Sequence, residues 1–225
     1  MSRFVFSMMM LICVSLTPLS LRGEPQKSQA GFEQYIKSFK QEALSKGYDA
    51  GFLDSVFTGA TFRQRVVKAD KNQPERKITL DTYLATRVPD WKVKQALDLF
   101  AKHRALLEDV AQAFGVQARF IVALWGNESN FGKIMGKYPV ISSLATMAYE
   151  GRREEMFKKQ LYAAMDILRQ GHINQDEFLG SWAGAMGQSQ FMPTSFLHYA
   201  YDFDGDEKKD IWNSHGNAAE VAMFM

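Results

Sequence analysis

One glutamate, Glu128, extends the apolar face of a predicted helix, and a carboxyl in that position could take part in proton transfer. The apolar residues that recur at helical spacing before it are Phe120, Ile121, Leu124 and Trp125. At about 100° per residue, Glu128 lies only about 40° round the helix from Leu124 and extends this stripe. Partial removal from water raises the pKa of a carboxyl and keeps it protonated, as a general acid requires. The alternative is a carboxylate that turns to solvent at a frayed helix end, since Gly132 is close.

Few other side chains could serve as nucleophiles or metal ligands. The chain has one cysteine, Cys13, and four histidines without the spacing of metal ligands. This pattern excludes a disulfide framework and argues against a zinc site. Any chemistry must therefore come from carboxylates, hydroxyls, amides or cations.

A small-residue run with two glutamines forms a second candidate region. Ala183-Gly-Ala-Met-Gly187 lets a backbone approach a ligand closely, and Gln188 and Gln190 supply amide donors and acceptors. The alternative is tight packing by small residues. With Glu128 and Ser181 in the same chain, ligand binding is the favoured interpretation.

An acidic segment near the end of the sequence has the spacing of a calcium loop. Oxygen ligands would occupy positions one, three, five, seven and nine, supplied by Asp202, Asp204, Asp206, the Lys208 backbone and Asp210. Two residues depart from the pattern, because Glu207 replaces the usual glycine at position six and Asn213 replaces the glutamate at position twelve. A structural calcium site and a solvated acidic turn both remain open.

Helices must position these groups, because the sequence contains no alternating strand pattern of five or more residues. Helical periodicity predicts a mainly α chain with a loop at 68–77 around Pro74. The predicted helices cover 32–46, 51–57, 91–114 as one long or two abutting helices, 118–129, 142–148, 154–169 and 195–201.

The first 23 residues are typical of a cleaved signal peptide. Arg3 precedes an apolar stretch that Pro18 breaks, and this stretch is shorter than the roughly 20 residues that span a membrane. Ile12 before Cys13 argues against lipidation, so membrane attachment is not expected. Cleavage removes two arginines, so the mature chain has 27 − 2 = 25 basic and 25 acidic residues. This balance gives no support to nucleic-acid binding.

Several separated motifs together resemble the membrane-bound lytic murein transglycosylase B family. The resemblance covers about residues 79–212 and implies a lysozyme-like α-helical core at 79–225 that follows an N-terminal helical region at 24–78. The motifs are Gly126-Asn-Glu-Ser-Asn-Phe-Gly132, Ser142-Ser-Leu-Ala-Thr146, Arg152-Arg153, Gly180-Ser-Trp-Ala-Gly-Ala-Met-Gly-Gln-Ser-Gln-Phe-Met-Pro193, Tyr201-Asp-Phe-Asp-Gly-Asp206 and Asp210-Ile-Trp212.

The resemblance also implies roles for individual residues. Glu128 matches the family's single catalytic acid and base, and Ser181 matches a serine that orients it. The positions that match substrate contacts are Gln190, Phe191, the groove arginines Arg152 and Arg153, and Tyr83. From the sequence itself, the two arginines are equally well explained as the solvated start of a helix before Glu154.

The implied reaction is cleavage between N-acetylmuramic acid and N-acetylglucosamine in peptidoglycan, with formation of a 1,6-anhydro ring. It requires no cofactor, and the expected partners are glycan strands and other cell-wall enzymes in the periplasm. A muramidase that uses water is an alternative. A catalytically impaired glycan-binding protein is another, because the chain stops within the apolar run 218–225 whereas the family continues further.

Overall fold

Helices dominate the computed structural model, which describes residues 27–72, 78–202 and 205–213. The described residues form ten α-helices and two strands of two residues each, so the predicted mainly α class is confirmed. The helices are α1 (Gln29–Ser45), α2 (Ala50–Phe57), α3 (Gln64–Lys71), α4 (Leu80–Arg87), α5 (Asp90–Lys102), α6 (Arg104–Phe114), α7 (Ala118–Ser129), α8 (Val140–Glu150), α9 (Glu154–Arg169) and α10 (Pro193–Tyr199). The strands are β1 (Tyr138–Pro139) and β2 (Leu179–Gly180).

Local signals account for several helix ends. The Ser28 Oγ accepts a hydrogen bond from the Gly31 amide at 3.2 Å and begins α1. The Asp49 carboxylate accepts from the Phe52 amide at 2.9 Å and begins α2. Such caps satisfy amides that the first helical turn leaves unpaired. Gly115 ends α6 with a φ of 69°, which a residue without Cβ adopts at little cost.

The predicted helix bounds agree with the structure where the pattern is regular. Both α7 and α9 have the predicted ends, and the segment 91–114 forms two helices that meet at His103. The predicted loop at 68–77 is wrong at its start, because α3 continues to Lys71. Residues 73–77 lie outside the described residues, as do the predicted signal peptide and the run 218–225.

The main hydrophobic cluster surrounds α8. Nine successive residues of this helix, 140–148, are buried, so it is covered on all sides. Leu144 packs there with Phe32 of α1 and with Phe157 and Leu161 of α9, all at most 1% exposed. Each such side chain contributes about 1.5–3 kcal/mol through burial. The same cluster thus joins helices from both predicted regions, 24–78 and 79–225.

A second, smaller cluster lies beside the first and supports α7. Its buried members are Leu107, Val110, Ile121, Val122 and Phe131. Half-buried side chains of α5 pack against this cluster, although α4 and α5 contain no buried residue.

The short strands bring the segment after α7 against the segment after α9. Tyr138 pairs with Gly180 and Pro139 with Leu179 in an antiparallel register. Gly136 has a φ of 96°, and a Cβ there would overlap the Gly180 carbonyl. The two backbones can approach this closely because Gly136 has no side chain. Within the described residues, no helix combines the length and apolar character needed to cross a membrane.

Candidate active site

Glu128 occupies the last turn of α7, just before the backbone changes to left-handed φ angles. Asn130, Phe131 and Gly132 have φ angles of 51°, 58° and 79°, and these end the helix. The Phe131 ring folds back under α7 and meets Trp125 edge-on, with ring centroids 5.6 Å apart. A Cβ on Gly126 would overlap this ring. The chain after the helix is therefore anchored, and the end of α7 is held rather than frayed.

The buried face of α7 differs from the predicted one. Ile121, Val122, Gly126 and Ser129 are buried, whereas Phe120 is 45% exposed. Glu128 lies about 90° round the helix from the centre of this buried face. Of the predicted stripe of Phe120, Ile121, Leu124 and Trp125, only Phe120 is wrong, because Ile121 is buried and the partly buried Leu124 and Trp125 pack against the second cluster. Glu128 consequently borders the buried face and is accessible to solvent.

The surroundings of Glu128 favour its protonated form. Displacement of water by neighbouring protein raises the pKa of the Glu128 carboxyl, while the positive charge of Arg87 opposes the rise. Within the described part of the chain, the carboxyl makes no hydrogen bond or ion pair. The raised pKa agrees in direction with the expectation from the sequence. An accessible carboxyl in this state can donate a proton to a ligand.

Arg87 is a functional candidate that the sequence analysis missed. Its guanidinium lies over the Tyr83 ring, 5.7 Å from the centroid, because the two residues are one turn apart on α4. The Arg87 carbonyl accepts a hydrogen bond from Lys92 Nζ at 3.2 Å. Tyr83 is 40% exposed beside this cation. A sequence signal existed in the i, i+4 spacing of Tyr83 and Arg87, which puts both on one helical face.

We expect the Arg87→Gln variant to have a Glu128 carboxyl with a still higher pKa. Burial alone would then act on the carboxyl, because the opposing positive charge is gone. The measurement is an NMR titration of the Glu128 side-chain carboxyl in both proteins. Arg87→Lys, which keeps the charge, is the control and should titrate like the parent. An unchanged or lower midpoint in Arg87→Gln would show that this charge does not act on Glu128.

Gln188 joins the two hydrophobic clusters. Its Oε1 accepts a hydrogen bond from Trp125 Nε1 at 2.7 Å, and its Nε2 donates to the Trp212 carbonyl at 3.1 Å. Gly132 leaves room for this amide, because a Cβ at that position would overlap Gln188 Oε1. Both ends of the Gln188 amide are thus used within the protein. In this arrangement Gln188 positions α7, and its predicted contact with a sugar stays a prediction.

Gln190 and Phe191 occupy different environments. Gln190 has a φ of 51°, and its Nε2 donates to the Met135 and Gly187 carbonyls at 3.1 and 2.9 Å. Phe191 is 1% exposed within the main cluster. Its ring is packed in the core and does not reach the surface, which corrects the predicted glycan contact. Gln190 stays a candidate, since its amide oxygen accepts no hydrogen bond from a described residue.

Ser181 lies directly after β2, in the turn that faces Gly136. Its Oγ accepts a hydrogen bond from the Ala185 amide at 3.0 Å, and its amide donates to the Ala185 carbonyl at 2.7 Å. No hydrogen bond joins Ser181 to Glu128 in the described residues. The hydroxyl hydrogen can still be donated, so the orienting role of Ser181 stays a prediction.

The glycines of the small-residue run serve packing. A Cβ on Gly184 would overlap the Leu144 side chain, and one on Gly187 would overlap Ile211. Both glycines also have positive φ angles, 88° and 67°. The favoured interpretation, close approach of a ligand, is therefore wrong for Gly184 and Gly187, because neighbouring side chains fill that space.

The arginine pair binds a buried carboxylate of its own chain. Arg152 and Arg153 both form ion pairs with Asp70, whose side chain is 1% exposed at the end of α3. Arg153 also lies over the Phe157 ring, 5.0 Å from the centroid. Neither explanation of the pair from the sequence included this contact. The arginines connect α3 to the start of α9, and the described contacts do not join them to Glu128.

The acidic loop has the backbone of a calcium loop at the position where its sequence departs from the pattern. Glu207 adopts a φ of 68°, the left-handed conformation for which glycine is usual. The two Asp202 carboxylate oxygens accept from the Gly205 and Glu207 amides at 2.7 and 2.8 Å. Asp206 accepts from the Lys208 amide at 2.8 Å. In the described residues no three acidic, histidine or cysteine side chains converge as metal ligands, and Asp204 lies outside them.

The structure therefore brings fewer of the predicted site residues together than expected. Glu128, Tyr83 and the newly found Arg87 form one group, and Ser181, Gln188 and Gln190 lie on the turns that hold the segment after α7. Arg87 is the one charged group in the described chain that affects the pKa of Glu128. A second carboxylate close to Glu128 would raise that pKa, and no carboxylate of the described residues does so.

Comparisons with known proteins agree on one relationship. A family model described as the transglycosylase SLT domain matches residues 31–225. The chain is 33% identical over 137 residues to membrane-bound lytic murein transglycosylase B of Escherichia coli (strain K12), covering 60% of this chain and 38% of that protein.

Solved structures share the fold. SltB3 of Pseudomonas aeruginosa, in complex with NAG-anhNAM-pentapeptide, has a TM-score of 0.81 and 45% identity over 86% of this chain and 52% of that one. Escherichia coli Slt35, in complex with calcium, has a TM-score of 0.74 and 27% identity over 88% and 62%. The chain thus spans about half of SltB3, and less of the curated relative. These likenesses confirm the predicted lysozyme-like α-helical fold.

Proposed function

Because this chain belongs to the transglycosylase SLT domain family, we propose that it is a lytic transglycosylase of peptidoglycan. Glu128 is its single general acid and base. The enzyme cleaves the β-1,4 bond between N-acetylmuramic acid and N-acetylglucosamine and leaves a 1,6-anhydromuramic acid end.

The isolation of the Glu128 carboxyl among the described residues is the observation that carries this proposal. Glycosidases that retain configuration hold two carboxyl groups about 5–5.5 Å apart, and those that invert it hold them about 6.5–9.5 Å apart. Glu128 has a raised pKa, and among the described residues the charge that acts on it is that of Arg87. A single carboxyl supports a reaction in which one group first donates a proton and then accepts one.

The proposed reaction balances with Glu128 alone. The Glu128 carboxyl gives its proton to the glycosidic oxygen, and the bond from that oxygen to C1 of muramic acid breaks. The acetamido oxygen of the same sugar stabilises the positive charge that develops at C1. The Glu128 carboxylate then takes the proton of the C6 hydroxyl as this oxygen bonds to C1. Glu128 ends protonated, and no water is consumed.

Mass spectrometry of the products tests this proposal directly. The wild-type protein is incubated with purified sacculi, and the released muropeptides are weighed. Anhydro products are lighter by one water than the products of hydrolysis. Release of hydrated ends alone would replace the proposal with a muramidase, and binding without release would replace it with a glycan-binding protein.

The substrate class and the cellular location are part of the same proposal. The solved relative with 45% identity was crystallised with a NAG-anhNAM-pentapeptide, which supports a peptidoglycan strand as the substrate here. The predicted signal peptide at 1–23 supports action in the periplasm. Immunoblots of the periplasmic and cytoplasmic fractions would locate the protein.

We also propose that the loop 202–213 binds a structural calcium ion. Asp202, Asp206, Asp210 and the Lys208 carbonyl would supply oxygen ligands, together with Asp204. The left-handed Glu207 supports this fit, and Slt35 was crystallised in complex with calcium. The ion would stabilise the loop after α10 and would take no part in proton transfer.

Calcium at millimolar concentration should raise the melting temperature of the wild-type protein. An ion that binds only the folded state stabilises it by RT ln(1 + [Ca²⁺]/Kd), so the melting temperature rises with the calcium concentration. Calorimetric titration of the wild type and of Asp206→Asn measures the binding, and the variant should show a weaker heat. Asp109→Asn, an exposed change on α6, is the control. No heat and no thermal shift in the wild type would rule out the site.

A further inference from the structure

The Gln188 side chain touches the backbone region on both sides of Glu128. Its Oε1 accepts the hydrogen bond from Trp125 Nε1 at 2.7 Å, and a Cβ on Gly132 would overlap the same oxygen. Trp125 precedes Glu128 by about one helical turn, and Gly132 follows it at the chain reversal. Because the Glu128 carboxyl makes no hydrogen bond within residues 27–72, 78–202 and 205–213, its direction depends on the backbone that these two contacts hold.

Trp125 is the residue to which the last turn of α7 is tied. Its carbonyl accepts from Ser129 Oγ at 3.3 Å and from the Phe131 amide at 3.2 Å. The Ser129 hydroxyl, which is buried, also accepts from the Gly132 amide at 2.9 Å. A displacement of Trp125 therefore moves the turn that carries Glu128.

The segment 205–213 fixes Gln188 from the opposite side. The Gln188 backbone amide donates to the Ile211 carbonyl at 2.9 Å, and its Nε2 donates to the Trp212 carbonyl at 3.1 Å. Ile211 and Trp212 are both buried. The Trp212 amide donates in turn to Asp210 Oδ1 at 2.8 Å. The place of Gln188 thus depends on two successive carbonyls and on the Asp210 carboxylate that holds the second of them.

We propose that Gln188 is a positioning residue that couples Glu128 to the segment 205–213. This inference rests on the proposed function, because it concerns the carboxyl that carries the proton. While the segment keeps the Trp212 carbonyl in place, Gln188 holds Trp125, and the last turn of α7 directs Glu128 at the glycosidic oxygen. When that carbonyl moves, the amide loses an anchor and the carboxyl loses its fixed direction. The segment regulates the site through this chain of hydrogen bonds.

A second glutamine of the chain provides a matched control. Gln160 is 9% exposed, and its amide is also used at both ends. Its Oε1 accepts from the Thr194 amide at 3.0 Å, and its Nε2 donates to Thr194 Oγ1 at 2.9 Å. These bonds join α9 to α10 and do not involve α7. Gln160→Met therefore removes a comparable pair of hydrogen bonds without acting on Glu128.

Steady-state kinetics on soluble glycan strands separate positioning from binding. Gln188→Met keeps the length of the side chain and removes both of its hydrogen bonds. It should lower kcat about tenfold or more, because a small misplacement of a catalytic group is costly, and change KM less than about twofold. Gln160→Met should lower the melting temperature by a similar amount and keep kcat. Trp125→Phe, which removes the indole donor and keeps a ring against Phe131, should lower kcat in the same way as Gln188→Met.

An NMR titration of the Glu128 side-chain carboxyl tests the positioning without turnover. A loosened last turn admits water, so burial raises the pKa of this carboxyl less in Gln188→Met, and the titration midpoint should fall toward the ordinary range. Gln160→Met should titrate like the parent. An unchanged midpoint in both Gln188→Met and Trp125→Phe would show that the Gln188 amide does not position Glu128.

Variants of Asp210 test whether the segment 205–213 acts through Gln188. Asp210→Ala removes the acceptor of the Trp212 amide and should lower kcat about threefold or more, as residues of one hydrogen-bond network are energetically coupled. Asp210→Asn keeps an Oδ1 and should lose less. In a protein that already carries Gln188→Met, Asp210→Ala should add little further loss, because the connection is already broken.

Three kinetic results would overturn the inference. A raised KM with an unchanged kcat in Gln188→Met would mean that the amide serves the sugar. An equal loss of kcat in Gln160→Met would mean that lost stability explains the effect. An equal effect of Asp210→Ala with and without Gln188→Met would disconnect the segment from Gln188. The proposed function is judged separately, from the mass of the products that the wild type releases, so each proposal can fail without the other.

Discussion

Glu128→Gln should reduce the release of anhydro-muropeptides from sacculi by about 10³-fold or more. The amide keeps the shape of the side chain but cannot donate a proton to the glycosidic oxygen, and acid and base assistance together are worth about 10²–10⁴-fold. Both proton transfers are lost in this variant, since the same carboxyl performs them. Mass spectrometry of timed digests of purified sacculi measures the effect.

The fold should tolerate this change. Glu128 is exposed and has no hydrogen-bond partner in the described residues, so the variant should melt within about 1–2 °C of the parent, as surface changes usually do. Asn127→Gln, at the exposed neighbouring position, is the control and should keep full activity. Undiminished release of anhydro products by Glu128→Gln would remove Glu128 from the mechanism.

Asp70→Ala should lower the free energy of unfolding by about 2–3 kcal/mol. The carboxylate is 1% exposed and pairs with both Arg152 and Arg153, and removing one partner of a buried pair typically costs about 3–5 kcal/mol. The expected loss lies below that range because the two arginines are 54% and 38% exposed and stay partly hydrated. Urea denaturation followed by circular dichroism measures it.

Substitutions at neighbouring residues are the controls for Asp70→Ala. Lys71→Ala removes the exposed partner of Glu150 and should cost at most about 1 kcal/mol. Arg152→Ala should cost less than Asp70→Ala, because Arg153 still pairs with the carboxylate. If Asp70→Ala is as stable as the parent but binds glycan strands more weakly, the arginine pair acts on the substrate and not on the fold.

The features that could be predicted best from the sequence are those that depend on residues close together along the chain. The bounds of α7 and α9 follow from apolar periodicity, and Gly115 ends α6 because its backbone conformation favours glycine. The buried face of α7 could not be chosen in this way. The helix carries apolar residues on two faces, and packing against Val110 and Phe131 selects the face that contains Val122.

Contacts between distant residues account for most of the errors in the site. Trp125 and Gln188 are 63 residues apart in sequence, and Asp70 and Arg152 are 82 apart. No local pattern indicates that Gln188 gives both ends of its amide to the protein or that a buried carboxylate occupies the arginine pair. Phe191 was assigned by resemblance alone, and its burial depends on the whole main cluster. Glu128 was found because its signal is local.

The position of Glu128 at the carboxyl end of α7 bears on how the enzyme completes a cycle. The aligned peptide dipoles of a helix place roughly half a negative charge at this end. A carboxylate formed there by proton donation faces a repulsive field, so it has a strong tendency to recover a proton. In the proposed reaction, the helix dipole thus favours the return of the proton from the sugar hydroxyl to Glu128, without a relay to solvent.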